Sequence, residues 1–355
     1  PMAEKSRAEQ TREMIQDLKD NLEEFQTSVR LADIRDSVED LGSSVKGLGR
    51  RIIDLREKGY AFEKDLETTA ADLERDWAGI APELESQIEK EAAALTRSLR
   101  PLETQIHSLE GEPRYTSKLA AQVERLQSQT EGLENRVEAA DETIRGMYDQ
   151  FSSEVQTLKS HLYRLEWMLT ELSEATFELL ATESGIMAVK AVWAKGKEQK
   201  KTDPEGVLFL TDQRLLFEQK EKVATKKVLF IATEKEKIQE LLWEVPVALI
   251  EDVRSHREGF LGNQSYIEIQ FGGGAVLNKA NLRIWQPGDE WVSLLNRAKA
   301  GDFDQTRAVP IDEEIAERAA NAPTQCPECG GAINQVVMRG MDSLTCEYCG
   351  SVIRL

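Results

Sequence analysis

"GVLFLTDQRLLFEQ", residues 206–219, decides the fold at the centre of this 355-residue chain. Two short apolar runs, 206–210 and 214–219, flank a polar turn at Thr211, Asp212 and Gln213. The same texture extends in both directions. "IMAVKAVW" (186–193) precedes it, and "KKVLFIA" (226–232), "ALIEDVR" (248–254), "SYIEIQF" (265–271) and "AVLNKA" (275–280) follow. Gly272, Gly273 and Gly274 predict a hairpin turn between the last two runs. "GDEWVSLLNRAKAG" then places Trp291, Leu294, Leu295 and Ala298 on one helical face, with Asp289 near its start. Seven strands closed by one helix, in about 115 residues, predict a small barrel or sandwich plugged by a helix.

The strand order, the phrase at 206–219 and the tryptophan of the closing helix, Trp291, resemble the pleckstrin-homology/GRAM superfold. The likeness is to its bacterial branch, where a "G-x-L-x-L-T-x-x-R-L-L-F" hairpin recurs. It covers residues 185–300, about a third of the chain.

Upstream, residues 1–184 read as helix. Apolar side chains recur in steps of three and four: Ile15, Leu18, Leu22, Phe25 and Val29, then Ile34, Val38, Leu41, Val45, Leu48, Ile52 and Leu55. The pattern resumes at Ile80, Leu84 and Ile88, continues through Leu95, Leu99, Leu102, Ile106 and Leu109, and closes with Val155, Leu158, Leu162, Leu165, Leu169 and Leu172. Such stripes must meet a partner helix, as in a coiled coil. That partner is either the same chain or a second copy. Breaks divide this region: Gly59, Gly79 with Pro82, and Pro101 can each kink or turn it, and "GEP" at 111–113 is the firmest break. The expectation is an antiparallel coiled-coil hairpin or bundle whose last arm runs from Tyr115 to about Glu183.

Downstream, residues 301–324 read as a linker with a short helix from Pro310 to about Ala320, a tether giving the last module freedom to move. Residues 325–355 carry every cysteine: Cys326, Cys329, Cys346 and Cys349. Two C-x-x-C turns followed by Gly330, Gly331 and Gly350 can aim four thiolates at one ion. The stretch resembles a zinc ribbon, with disulfides or free thiols as the alternatives. Four cysteine ligands would fill a tetrahedral zinc and leave no open position for catalysis, so the ion would supply folding energy instead.

Eight lysines form the other candidate site. Lys195, Lys197, Lys200 and Lys201 lie after the first strand, and Lys220, Lys222, Lys226 and Lys227 are read as a turn region. In the pleckstrin-homology family, loops at these places border an anionic lipid pocket. The resemblance therefore implies an anionic ligand or partner site here, although the family's fuller basic signature is absent. Solubilising loops are the plainer reading.

A net charge of −19 argues against a protein dominated by nucleic-acid contacts. The ribbon itself offers only Arg339 and Arg354 against Glu328, Asp342 and Glu347. His107, His161 and His256 fall in separate segments, and no catalytic pattern is found. The glycine-rich "GSSVKGLG" and "FGGGAV" lack the strand-then-helix context of a phosphate cradle. Trp77, Trp167, Trp193, Trp243 and Trp285 read as packing. No apolar run approaches the roughly 20 residues that span a bilayer, and the first residues lack a secretory apolar region. The expectation is a cytoplasmic, non-enzymatic scaffold that self-associates through its coiled coil, contacts proteins through coil and ribbon, and docks peripherally to an anionic membrane or a protein. The rivals are a nucleic-acid-associated factor using the ribbon and a purely protein-binding assembly factor, and no small-molecule substrate is expected.

Overall fold

The computed structural model describes residues 6–109, 115–196, 200, 202–228 and 231–355. The chain divides into two compact units, residues 1–50 with 68–159, and residues 51–67 with 160–355.

The first unit is helical. Helix α1 (Arg7–Asp20) opens with a capping box in which Ser6 and Glu9 satisfy each other's backbone amides. It is followed by α2 (Leu22–Ser28), α3 (Ala32–Glu57), α4 (Leu66–Ser108) and α5 (Ser117–Ser173). The apolar stripes are buried within the single chain: Phe25, Val29, Ile34, Val38, Val45 and Leu48 from the first three helices, Leu84, Leu95 and Leu99 from α4, and Val155 from α5. Cross-contacts give the directions. Gln26 reaches Glu103 and Gly42 lies under Trp77, so α4 runs antiparallel to the helices before it. Trp77 stacks on Phe151, and Arg136 donates to Ser98, so α5 turns back again. A Cβ at Gly42 would sit 2.9 Å from the Trp77 indole nitrogen, which explains glycine in mid-helix.

Two helical expectations are corrected. Pro82 and Pro101 lie inside α4, a continuous helix of 43 residues. Each proline removes one backbone donor, while Leu84, Leu95, Leu99 and Leu102 stay buried around them and hold the helix through. The last arm ends at Ser173, and residues 174–184 form turns and extended chain rather than helix. Gly59, with φ +95°, does terminate α3, and "GEP" lies outside the described residues.

In the second unit, seven antiparallel strands form one sheet: β1 (Gly185–Ala194), β2 (Glu205–Thr211), β3 (Arg214–Val228), β4 (Ile231–Pro246), β5 (Ile250–Glu258), β6 (Gln264–Phe271) and β7 (Lys279–Ile284). Their order is β4-β3-β2-β1-β7-β6-β5. Residues 206–219 form the expected hairpin, with Leu210 opposite Leu215 and Gly206 opposite Gln219. The sheet curls on itself: Trp243 of β4 meets Phe217 of β3, Trp193 of β1 and Phe271 of β6 with ring centroids 5.8–6.3 Å apart. Helix α6 (Gly288–Ala300) seats Trp291, Leu295 and Ala298 in the core, and the Trp291 indole donates to Gln286 at 2.6 Å.

Two strand readings change, and one strand segment is added. The run 226–232 is the far end of one long β3–β4 hairpin rather than a strand of its own, because Val228 pairs with Ile231. Residues "LLWEV" belong to β4, where Trp243 and Val245 are buried. The last strand begins at Lys279 and not at Ala275, since it is Ala280, Leu282 and Ile284 that alternate into the core.

The chain continues through α7 (Asp302–Gln305), α8 (Glu313–Ala320), and the ribbon strands β8 (Ser343–Thr345) and β9 (Val352–Arg354). The first part of the linker is held in place. The Lys64 amide donates to Thr306 and the Ala308 amide to Ala61, while Phe303 meets Phe62 edge-on.

Candidate metal centre

The four cysteine sulfurs lie within 4.8 Å of one another and could hold a metal ion. Cys326 and Cys349 sulfurs are 3.7 Å apart, and those of Cys329 and Cys346 are 3.6 Å apart. A tetrahedral ion with metal–sulfur bonds of about 2.3 Å requires sulfur–sulfur edges of about 3.75 Å, which these two edges match.

The backbone explains the convergence. Each C-x-x-C turn closes twice: Gly330 donates to Cys326 and Cys326 to Gly331, and equally Gly350 donates to Cys346 and Cys346 to Ser351. Gly330 and Gly350 stand at φ +74° and +73°, the left-handed region that glycine adopts without cost. Cys326, Leu344, Cys346 and Ile353 form the ribbon's small core. Hydrogen bonds from Ser351 and from the backbone around Cys329 pull the Cys326 thiol down to about 6. At Cys329, backbone hydrogen bonding from Gly331 lowers the thiol, but the neighbouring sulfurs and burial outweigh it and push it up to about 12.

The ribbon is fastened to the sheet. Arg339 donates to Asp212 at 2.8 Å and with two nitrogens to Asp304, while its amide donates to Gln213. Arg307 donates to the same Asp212 and to the Thr182 carbonyl. Burial raises Asp212, and the Ser184 amide with the two guanidinium groups offsets part of that rise. A Cβ at Gly340 would lie 2.1 Å from the Ala181 carbonyl oxygen, so the ribbon tip rests directly on that backbone. Beside this contact is a second network. Arg214, 7% exposed, grips the fully buried Glu183 with two nitrogens at 3.0 and 2.7 Å and adds Glu244.

The lysines do not all stand where a turn would put them. Lys220, Lys222, Lys226 and Lys227 lie along β3, where the hairpin continues past the end of β2. The register places that overhang and the β1–β2 connection at the same end of the sheet. Lys220 is half-buried and pairs at 2.7 Å with both Glu171 and Glu174; burial works against its charge, but the two carboxylates hold its pKa above the usual lysine range. Lys195 lies over the Trp193 ring, and the Lys200 amide donates to Asp203. Lys197 and Lys201 lie outside the described residues, as do the side chains of Lys222, Lys226 and Lys227.

The histidines remain apart: His107 bonds the Glu103 carbonyl, His161 pairs with Glu63, and His256 stacks on Tyr266. Among the described residues the cysteine quartet is the one group of three or more His, Cys, Asp or Glu with metal-binding geometry. No described helix is long and apolar enough to cross a membrane. The Arg339–Asp212–Arg307 junction has no sequence signal, because loop charges are not periodic, and Trp285, expected to pack, is exposed.

No model of a known protein family matches the chain, and no curated protein matches it. Solved structures that match include the DH/PH domains of p115-RhoGEF, at 13% identity and a TM-score of 0.22, covering 78% of this chain and 94% of that one. Human RhoA in complex with the DH/PH fragment of PDZRHOGEF is matched at 12% identity and a TM-score of 0.23, covering 84% of this chain and 96% of that one. At such scores these likenesses carry no argument about this chain.

Proposed function

We propose that this chain is a non-enzymatic adaptor that binds a protein partner. It joins a coiled-coil bundle to a pleckstrin-homology/GRAM-like module with a structural zinc ribbon fixed on it. The carrying observation is the junction at Asp212: Arg339 and Arg307 converge on one buried carboxylate and fasten the ribbon to the sheet. A ribbon serving as a nucleic-acid reader would present Arg339 to phosphate, whereas here that charge is spent internally. The seven-stranded antiparallel sheet with one closing helix supports the module assignment. The sulfur spacing and all-thiolate donor set favour zinc, which would stabilise the ribbon's fold.

Peripheral docking to an anionic membrane is the second reading, favoured by Lys195 and Lys200 near the β1–β2 connection. The pairing of Lys220 with Glu171 and Glu174 subtracts from that site. Since one chain buries its own stripes, homo-oligomerisation would have to use other surfaces, and a solution mass measurement decides it.

The test compares three binding partners for the purified, zinc-loaded chain at physiological salt. A stoichiometric complex with a co-purified protein, with neither vesicle sedimentation nor nucleic-acid mobility shift, is the expected result. DNA or RNA binding without a protein complex would overturn it.

A further inference from the structure

The outer face of β1 and the end of α5 enclose a cleft that none of the assignments above uses. Tyr163, Arg164 and Trp167 form one wall, and Val189, Lys190, Trp285 and Gln286 form the other, around about 240 Å³. Trp285 is 54% exposed and Tyr163 66% exposed, which is unusual for such large rings. Trp285 is held from behind by the Arg283 guanidinium, 4.7 Å from its ring, and Gln286 is occupied by the Trp291 indole and the Ala188 carbonyl. The cleft is therefore built before anything enters it. A second hollow of about 370 Å³ shares Lys190 and Trp285 and continues toward Glu205 and Lys220. The two hollows lie side by side along β1 and form one groove.

Charge selects what fits. Two of the three cations along this groove are neutralised: Arg164 donates to both carboxylate oxygens of Glu290, and Lys220 is held by Glu171 and Glu174. Lys190 is exposed and has no acidic partner among the described residues. Open tryptophan and tyrosine rings are residue types of a binding hot spot, and Lys190 adds an unpaired ammonium to the same lining.

We infer that this groove binds a short extended peptide of a partner protein, with an aromatic or large aliphatic side chain seated between Tyr163, Trp167 and Trp285, and an adjacent Asp or Glu paired with Lys190. This rests on the adaptor reading and names its docking site and the chemistry of its ligand.

The test uses the full-length, zinc-loaded chain and a display library of random peptides, counter-selected on Trp285→Ala. Circular dichroism and the melting temperature confirm that this exposed-site variant folds. Enrichment of an aromatic or large aliphatic residue beside Asp or Glu is expected. A synthetic peptide of the enriched sequence should lose about tenfold or more in affinity for Lys190→Glu, and replacing its acid with lysine should restore binding to that variant. Absence of enrichment, or equal affinity for wild type and Lys190→Glu, overturns the inference. So does a Trp285→Ala variant that loses sedimentation with phosphatidylserine vesicles, or one that loses self-association by solution mass, because either assigns the cleft to another occupant. If a protein complex forms and survives Trp285→Ala, the groove assignment falls while the adaptor reading stands.

Discussion

The two units of this protein are stabilised by different means. The helical unit buries one apolar stripe per helix, in which Ile34, Leu48 and Leu84 are fully covered and charged residues stay mostly on the outer faces. The second unit buries charge as well: Glu183, Arg214 and Asp212 are all inside, each satisfied by a partner from a distant segment. A stripe tolerates local damage because neighbouring layers still pack. A buried ion network does not, because removing one member strands another in a medium that cannot solvate it.

The largest effect is expected at the ribbon. Cys346→Ser, or stripping the metal with a chelator, should abolish the ordered ribbon while leaving far-ultraviolet helicity nearly intact. Hydrogen exchange over 325–355 checks this, and protection that survives chelation would refute a metal-dependent fold. The comparison between units is sharpened by a pair of variants. Arg214→Ala should cost about 3–5 kcal/mol by leaving Glu183 buried and unpaired, with a loss confined to the sheet unit. Leu48→Ala should cost about 2–5 kcal/mol through a cavity in the bundle. Chemical denaturation followed by site-specific exchange separates them, and equal loss in both units from either variant would erase the distinction.

Smaller effects test the junction. Arg339→Ala should weaken ribbon docking by about 1–3 kcal/mol without releasing metal, since Arg307 still neutralises Asp212. Faster exchange at 181–184 and 338–342 with unchanged zinc content is the expected signature. The smallest effect concerns acid. Burial pushes Glu63 up, but the hydrogen bond and charge of His161 outweigh it and leave its carboxyl below the usual range. A group depressed in the fold contributes stability above its ordinary pKa and loses it as pH falls through the folded value. Glu63→Gln should therefore lower stability at neutral pH by about 1 kcal/mol and flatten the acid limb below roughly pH 4.5.

How much was legible in the sequence follows from the same contrast. The apolar steps from Ile34 to Leu55 marked the helices because a stripe is periodic, and the paired C-x-x-C turns marked the ribbon because ligand spacing is local. The hairpin at 206–219 shows itself by two apolar runs around a polar turn. By contrast, β4 was hidden because "EKEKIQELL" mixes charge with apolar residues at no strand period. Pro82 and Pro101 were over-read because a local breaker signal carries no information about the packing on either side. Arg307, Arg339 and Asp212 meet across more than ninety residues of chain, and no period announces such a meeting. Trp285 reads as packing because sequence shows that a residue is large and apolar, but not whether its neighbours cover it.

The β3–β4 hairpin runs on beyond Gly206, where β2 stops pairing with β3 at Gln219. From Glu221 to Val228 β3 pairs with β4 alone, and a two-stranded ribbon on its own is marginally stable in water. For anyone handling this protein, that overhang is the natural place for a nick, a tag or an inserted reporter. No pairing outside the β3–β4 ladder uses residues 220–228 or 231–239, so a change in the outer part of this hairpin leaves the register of the other strands as it is.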